Sequence, residues 1–234
     1  MLKTSFGDID ELLESYDVQN DPVLTAHWRP IESLLWDKIE NYGGEINDYG
    51  AVMSKHLMRT SAIGMQYLST ELGFSEKAAR NFYDANLLHD LGKTHPSYNP
   101  NIWQLPHRPT PEERLEKREH TQLGVELVDL SLTKAPPELQ NHPHVHVVQA
   151  LQRLHHERID GQGYEGMKAG ELGQAIQAIC IIDAFDGDMI HRPHQPSRRT
   201  PEEALKRMQT GKKYEGAFDP ESLQRFIDFQ LAAG

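Results

Sequence analysis

The chain has a single cysteine, Cys180, in 234 residues. An internal disulfide framework is therefore excluded, and a reducing, cytoplasmic setting is the expectation. Cys180 sits in the apolar run Ala178-Ile179-Cys180-Ile181-Ile182, where a small buried hydrophobe is a better reading than a nucleophile. Long hydrophobic stretches are also missing. The longest apolar runs are about five residues, against the roughly 20 that span a bilayer, so no membrane partner is expected. The N-terminal Met1-Leu2-Lys3-Thr4-Ser5 leads into acidic sequence without the apolar core of a signal peptide. Runs of alternating β-branched residues are absent, which argues against a sheet. Excess positive charge is lacking as well. The formal net charge is -11, so duplex nucleic acid is not an expected partner.

What is present is helical periodicity at ordinary composition, 38% hydrophobic and 25% charged, enough for one globular domain with a proper core. The expected fold class is all-α. Residues 1–48, acidic and aromatic with Trp28, Trp36 and Tyr42, read as a short helical N-terminal extension of unassigned role. A helix from near Pro30 would stop at Gly43-Gly44. Residues 49–234 read as the functional domain. Met53, Leu57, Thr60, Gly64 and Leu68 form one stripe of a helix over 50–72. A second helix, capped by Ser75, would run to about Leu91. Thr110-Pro111-Glu112-Glu113 and Thr200-Pro201-Glu202-Glu203 carry capping-box signatures of two more. Residues 131–144 read as a Pro-rich connection, Val145 to about Glu157 as a helix, Asp160–Tyr164 as a turn whose Gly161 and Gly163 tolerate positive φ, and Leu172 to about Gly187 as an apolar helix. Phe218-Asp219-Pro220 precedes a last one.

Thirteen histidines are many for this length. A lone histidine on an apolar helix face is more often a hydrogen-bonded core residue than a ligand. Here, however, five helices each offer His or Asp where they would converge, and Asp183 lies on a face otherwise made of isoleucine. A buried, unpaired carboxylate is costly, and a metal ion is the most economical partner. His142, His144 and His146 read as surface loop residues, Asp186 and Asp160 as cap and turn residues, and Glu157 as a group that orders the histidine pair beside it. Seven basic residues against two acidic ones between His191 and Lys213 leave open either a phosphate-holding patch or a solvated helix face.

These residues resemble a known family. His89-Asp90-Leu91-Gly92-Lys93 is similar to the HD-x-G-K signature of HD-domain phosphohydrolases, with His56 on the preceding helix where that superfamily places its first ligand. His120-Thr121-Gln122-Leu123-Gly124 resembles the downstream H-x-x-x-G helix. His155-His156-Glu157-Arg158-Ile159-Asp160-Gly161-Gln162-Gly163-Tyr164 is similar to the motif that names the HD-GYP branch, and Ile182-Asp183-Ala184-Phe185-Asp186 to a further block. The resemblance implies an HD-type helical bundle and two divalent transition-metal ions, held by His56, His89, Asp90, His120, His155, His156 and Asp183, with Asp90 bridging. It implies attack of a metal-bridging hydroxide on a phosphodiester, a cyclic dinucleotide such as cyclic di-GMP being the substrate. Lys93 would steer phosphate or protonate the leaving oxygen, and Arg192, Arg198 and Arg199 would contact phosphate. Mixed imidazole and carboxylate ligation suits iron or manganese first, with nickel or zinc acceptable.

The chain also departs from the pattern. Gly163-Tyr164-Glu165 lacks the family's proline, and Arg192-Pro193-His194-Gln195 lacks its second arginine. Val52 stands where a third-metal glutamate occurs in some members, so two ions are expected. Other nucleotides or phosphoesters, a catalytically inactive metal-containing nucleotide sensor, and a homodimeric assembly stay open.

Overall fold

A computed structural model describes residues 8–42, 49–103 and 105–233. Among them ten α-helices succeed one another: α1 (Ile9–Ser15), α2 (Arg29–Glu40), α3 (Tyr49–Thr70), α4 (Glu76–Asn86), α5 (Pro111–Leu132), α6 (Pro137–Gln140), α7 (Pro143–Leu154), α8 (Gln174–Met189), α9 (Pro201–Thr210) and α10 (Pro220–Ala233). The described residues form no strand, only an isolated bridge between Asp160 and Lys168. The fold is all-α, as expected. None of these helices is long and apolar enough to cross a membrane.

Local signals act as their chemistry dictates. The Ser75 hydroxyl accepts from the Ala78 amide and opens α4. Thr110 and Thr200 form reciprocal capping boxes with Glu113 and Glu203. The stripe Met53, Leu57, Thr60, Gly64 and Leu68 is buried, and α3 packs with it against α4 and α8. In turn α7 lies against α4 and α5. The segments that carry the expected ligands thus come from elements that pack directly on one another.

Several boundaries differ from expectation. The helix opened by Ser75 ends at Asn86 rather than near Leu91. There the amides of Leu88 and His89 switch to carbonyls three residues back, those of Ala85 and Asn86. The chain must bend at this point because Gly92 presses onto α5. A Cβ at Gly92 would lie 1.8 Å from the His120 carbonyl oxygen. His89 and Asp90 therefore stand on a turn. The Pro-rich connection contains the one-turn α6, and α7 begins earlier than expected, with Pro143 in its first turn and His142 as its N-cap. Of the two turn glycines, Gly161 takes φ +75°. Gly163 instead packs where a Cβ would meet Glu157 at 2.6 Å. The α2 helix ends at Glu40, and Gly43-Gly44 lie outside the described residues.

The N-terminal helices share the core of the remainder. Ile9, Leu13, Trp28, Leu35 and Ile39 are buried in the same hydrophobic cluster as Leu57, Phe82, Val148 and Ile179. Polar ties reinforce this. Asn81 accepts from the Val18 amide at 2.9 Å and donates to the carbonyls of Leu13 and Tyr16 at 2.8 Å. Asp10 accepts from the amides of Gln174 and Ala175 and so caps α8. His142 and His144 belong to this anchor and are not surface loop residues. Both are buried. His142 Nε2 lies 3.1 Å from Asp21 Oδ2, and His144 Nδ1 lies 3.1 Å from the Tyr16 hydroxyl. The pattern misled because the aromatic partners, Tyr16 and Trp28, are distant in sequence. Beside them, Arg29 joins Glu32 to Asp84.

Burial, reinforced by the Asp84 charge, raises the Glu32 carboxyl to about 7. A folded-state pKa above the unfolded value gives stability that is present at low pH and lost as pH rises through the folded value. Relative to Glu32→Gln, the wild-type protein is expected to lose on the order of 2 kcal/mol between about pH 4.5 and pH 7. Urea midpoints across that range check this, and parallel profiles for the two proteins would exclude it.

Candidate metal centre

Seven side chains expected as ligands meet in one buried cluster, delivered by five segments. His56 comes from α3, His89 and Asp90 from the turn after α4, and His120 from α5. His155 and His156 come from the end of α7, and Asp183 from α8. Asp90 is central. Its Oδ2 lies 3.6 Å from His56 Nε2 and 3.8 Å from His89 Nε2, and its Oδ1 lies 3.3 Å from His120 Nε2 and 3.6 Å from His155 Nε2. Asp183 spans a second side: Oδ1 is 3.2 Å from His56 Nε2 and 3.7 Å from His89 Nε2, and Oδ2 is 3.5 Å from His156 Nδ1. Two triads could each hold an ion, His56-His89-Asp90 and His120-His155-His156.

The orientation of the rings follows from where they sit. His89 Nδ1 faces the Asn86 carbonyl at 2.9 Å, His155 Nδ1 the Leu151 carbonyl at 2.9 Å, and His120 Nδ1 the Lys117 carbonyl. A ring within a helix, or just beyond its end, reaches the carbonyl three or four residues back. Its Nδ1–H donates outward and the Nε2 lone pair faces the cluster, the arrangement of a metal ligand. His56 uses a carboxylate instead, with Nδ1 2.6 Å from Asp186 Oδ2, and Arg59 holds Asp186 through Nε at 2.7 Å and a second nitrogen at 2.9 Å. Asp186 is thus neither cap nor turn residue. It lies within α8, three residues after Asp183, on the same helix face.

The cluster fits metal ions on its own chemistry. His89 Nε2 and Asp90 Oδ1 are buried with no hydrogen-bond partner. The Nε2 atoms of His120 and His155 stand 3.2 Å apart, and two lone pairs at that distance repel unless a cation or proton lies between them. Burial holds His120 down to about 3 and His89 and His156 below their usual range, so these rings are neutral donors. Burial opposes charge on His56, but Asp183 and Asp186 outweigh it and raise the ring to about 9. This pole of the site favours positive charge, and a proton and a metal ion compete for it. Burial alone would raise Asp90 and Asp183. The charge of Lys93 beside the first, and the hydrogen bond from His56 to the second, overcome it and hold both well below the carboxylate range.

A cleft of about 790 Å³ opens on the cluster, a size suited to a small ligand. Lys93 Nζ contacts Asp90 Oδ2 and lies 3.9 Å above the Trp103 ring. Arg192 lines the cleft 5.1 Å from the same ring. Arg198 also lines it, with Nε donating to the Met189 carbonyl at 3.0 Å. Arg199 turns to Asp188, donating to its carbonyl at 3.2 Å, and is not part of the cleft wall. Glu157 does not bond to the histidine pair. Its oxygens accept from the Glu165 and Met167 amides at 2.6 and 2.7 Å and shape the loop that carries Tyr164, whose ring lies 4.8 Å from His156.

Sequence reasoning missed Asp186 as the orienter of His56, and it missed Trp103 and Lys117 as wall residues. The spacing Asp183-Asp186 was a usable signal for the first. Trp103 lies in a loop without periodicity, and nothing in the pattern could place it. Lys117 lies 4.5 Å from the Trp103 ring. Burial and the neighbouring charges of Arg192 and Lys93 lower its ammonium to about 8.

A family model described as HD domain matches residues 44–221. The chain is 30% identical over 134 residues to 3'3'-cGAMP-specific phosphodiesterase 1 of Vibrio cholerae serotype O1, a match that covers 56% of this chain and 28% of that protein. The chain therefore spans little more than a quarter of that relative's length. In the solved structures its fold is similar to that of Bd1817, a HDG"Y"P protein from Bdellovibrio bacteriovorus, with a TM-score of 0.60 over 95% of this chain and 69% of that one. At 17% identity this likeness concerns the fold.

Asp186→Asn is expected to weaken metal binding by about tenfold or more, the usual scale for an outer carboxylate on a histidine ligand, with helicity retained. Competition against a chelator, followed by metal analysis, checks this. Unchanged affinity would leave Asp186 a purely structural role.

Proposed function

The chain belongs to the HD-domain family, and on that premise we propose that it is a metal-dependent phosphohydrolase that cleaves a phosphodiester of a small cyclic dinucleotide. The observation that carries the reading is the pair of buried, unpartnered atoms, His89 Nε2 and Asp90 Oδ1, at the centre of seven convergent His and Asp side chains. One ion would be held by His56, His89 and Asp183, the other by His120, His155 and His156. Asp90 presents one oxygen to each set. Two ions so held would lower the pKa of water and neutralise charge on the attacking and leaving oxygens. Iron or manganese is the first choice, nickel or zinc the second.

The chain's own residues supply the rest. Lys93, in contact with Asp90 and part-buried under Trp103, is positioned to hold a phosphate oxygen and to give a proton to the leaving oxygen. Arg192 offers a fork to phosphate from the cleft wall. Tyr164 and Trp103 flank His120 and keep bulk water from its ring. Glu165, where the resemblance expects proline, pairs with Arg153 at 2.9 Å and is not a cleft-lining residue, so this departure does not alter the wall. The similarity to a 3'3'-cGAMP phosphodiesterase adds that molecule to cyclic di-GMP as a candidate substrate. A cytoplasmic location, a homodimer, and the division into an extension over 1–48 and a catalytic domain over 49–234 belong to the same reading.

The test is turnover of cyclic di-GMP and of 3'3'-cGAMP by protein reconstituted anaerobically with iron or manganese, with chromatography of the products. A linear dinucleotide or mononucleotides are expected. No product at about two bound ions per chain would refute the substrate assignment. Asp90→Ala is expected to abolish metal loading and to reduce turnover at least about a thousandfold, with far-UV circular dichroism still helical. Normal turnover by that variant would refute the site.

A further inference from the structure

Three cations crowd one indole in the cleft. Lys93 Nζ, Lys117 Nζ and the Arg192 guanidinium lie 3.9, 4.5 and 5.1 Å from the Trp103 ring centroid, and Lys213 lines the same cleft. Elsewhere even part-exposed arginines are matched with carboxylates: Arg59 with Asp186, Arg158 with Asp160, Arg207 with Asp188. Here only Lys93 has such a partner, Asp90. Among the described residues, no carboxylate lies within ion-pair distance of Lys117 or Arg192. In a chain of net charge -11 carboxylates are plentiful, so this corner is positive by placement. Cation–π contact orients these groups, but it does not cancel their mutual repulsion in a partly desolvated cleft. An anion would.

The corner adjoins the metal cluster without being part of it. The Trp103 ring is 6.1 Å from that of His120, and Lys117 stands one turn before His120 on α5, its carbonyl facing His120 Nδ1. Under the phosphohydrolase reading, on which this step rests, the phosphate being cleaved is served by the ions and Lys93. Lys117 and Arg192 are then surplus to a single phosphate. We propose that Lys117 and Arg192, seated on Trp103, form a second anion subsite that takes the phosphate not being cleaved. The cleft thereby selects compact molecules with two phosphate groups over esters with one.

The test compares wild-type holoprotein with Lys117→Gln and Lys117→Arg on cyclic di-GMP, which has two phosphates, and bis(4-nitrophenyl) phosphate, which has one. Metal content and melting temperature are matched beforehand. Lys117→Gln is expected to weaken equilibrium binding of cyclic di-GMP and raise its KM by about tenfold or more, with kcat falling less than KM rises. The loss for the single-phosphate ester is expected to be several-fold smaller, and Lys117→Arg to recover most of the binding. Equal losses on both esters would overturn the proposal and place Lys117 behind His120. So would unchanged binding of cyclic di-GMP, or no binding by the wild type. Binding without hydrolysis of either ester would refute the phosphohydrolase reading, while the comparison of binding constants would still decide the subsite.

Discussion

Two carboxylates set among packed helices, Asp90 buried and Asp183 largely so, are the constraint on which this structure depends. Asp90 is 1% exposed, and an ionised carboxylate in that position is costly unless positive charge and hydrogen bonds surround it. The chain meets the cost by bringing Lys93 and the imidazoles of four segments to Asp90, and His56, His89 and His156 to Asp183. Each ring must then be fixed from behind, and the means is inexpensive: a backbone carbonyl three or four residues back for His89, His120 and His155, and a carboxylate for His56. The donors are held in place by the fold, so little reorganisation remains for whatever cation they receive.

The same requirement explains local irregularities. The α4 helix stops short so that His89 and Asp90 can turn toward α5, and the approach is so close that position 92 admits no side chain. Gln152, fully buried on α7, donates to the Leu88 carbonyl at 3.0 Å and ties the turn to the neighbouring helix. The N-terminal helices serve the centre at a distance. They supply the cap of α8 through Asp10 and cover α4 and α7 through Trp28 and Tyr16, stabilising the helices that present Asp183, His155 and His156. The buried histidines thus divide into a set that faces the candidate metal centre and a pair, His142 and His144, that fastens the N-terminal segment.

Much of this was legible in the sequence, because it depends on short-range rules. Helical periodicity, the capping boxes at Thr110 and Thr200, and the lack of alternating strands determined an all-α chain with its helices close to where they lie. His and Asp placed on apolar faces or at helix ends pointed to one centre, since such groups are not buried without a common partner. What the tertiary structure decided involves residues far apart in the chain. The burial of His144 depends on Tyr16 and Trp28, the part played by Asp186 on His56, and the positive corner on Trp103, which no periodicity placed. It also decided that Arg192 faces the cleft while Arg199 turns to Asp188. The reason is physical: propensity and capping energies are set within a turn or two of chain, whereas desolvation and charge pairing are set by whichever groups packing brings within a few ångströms.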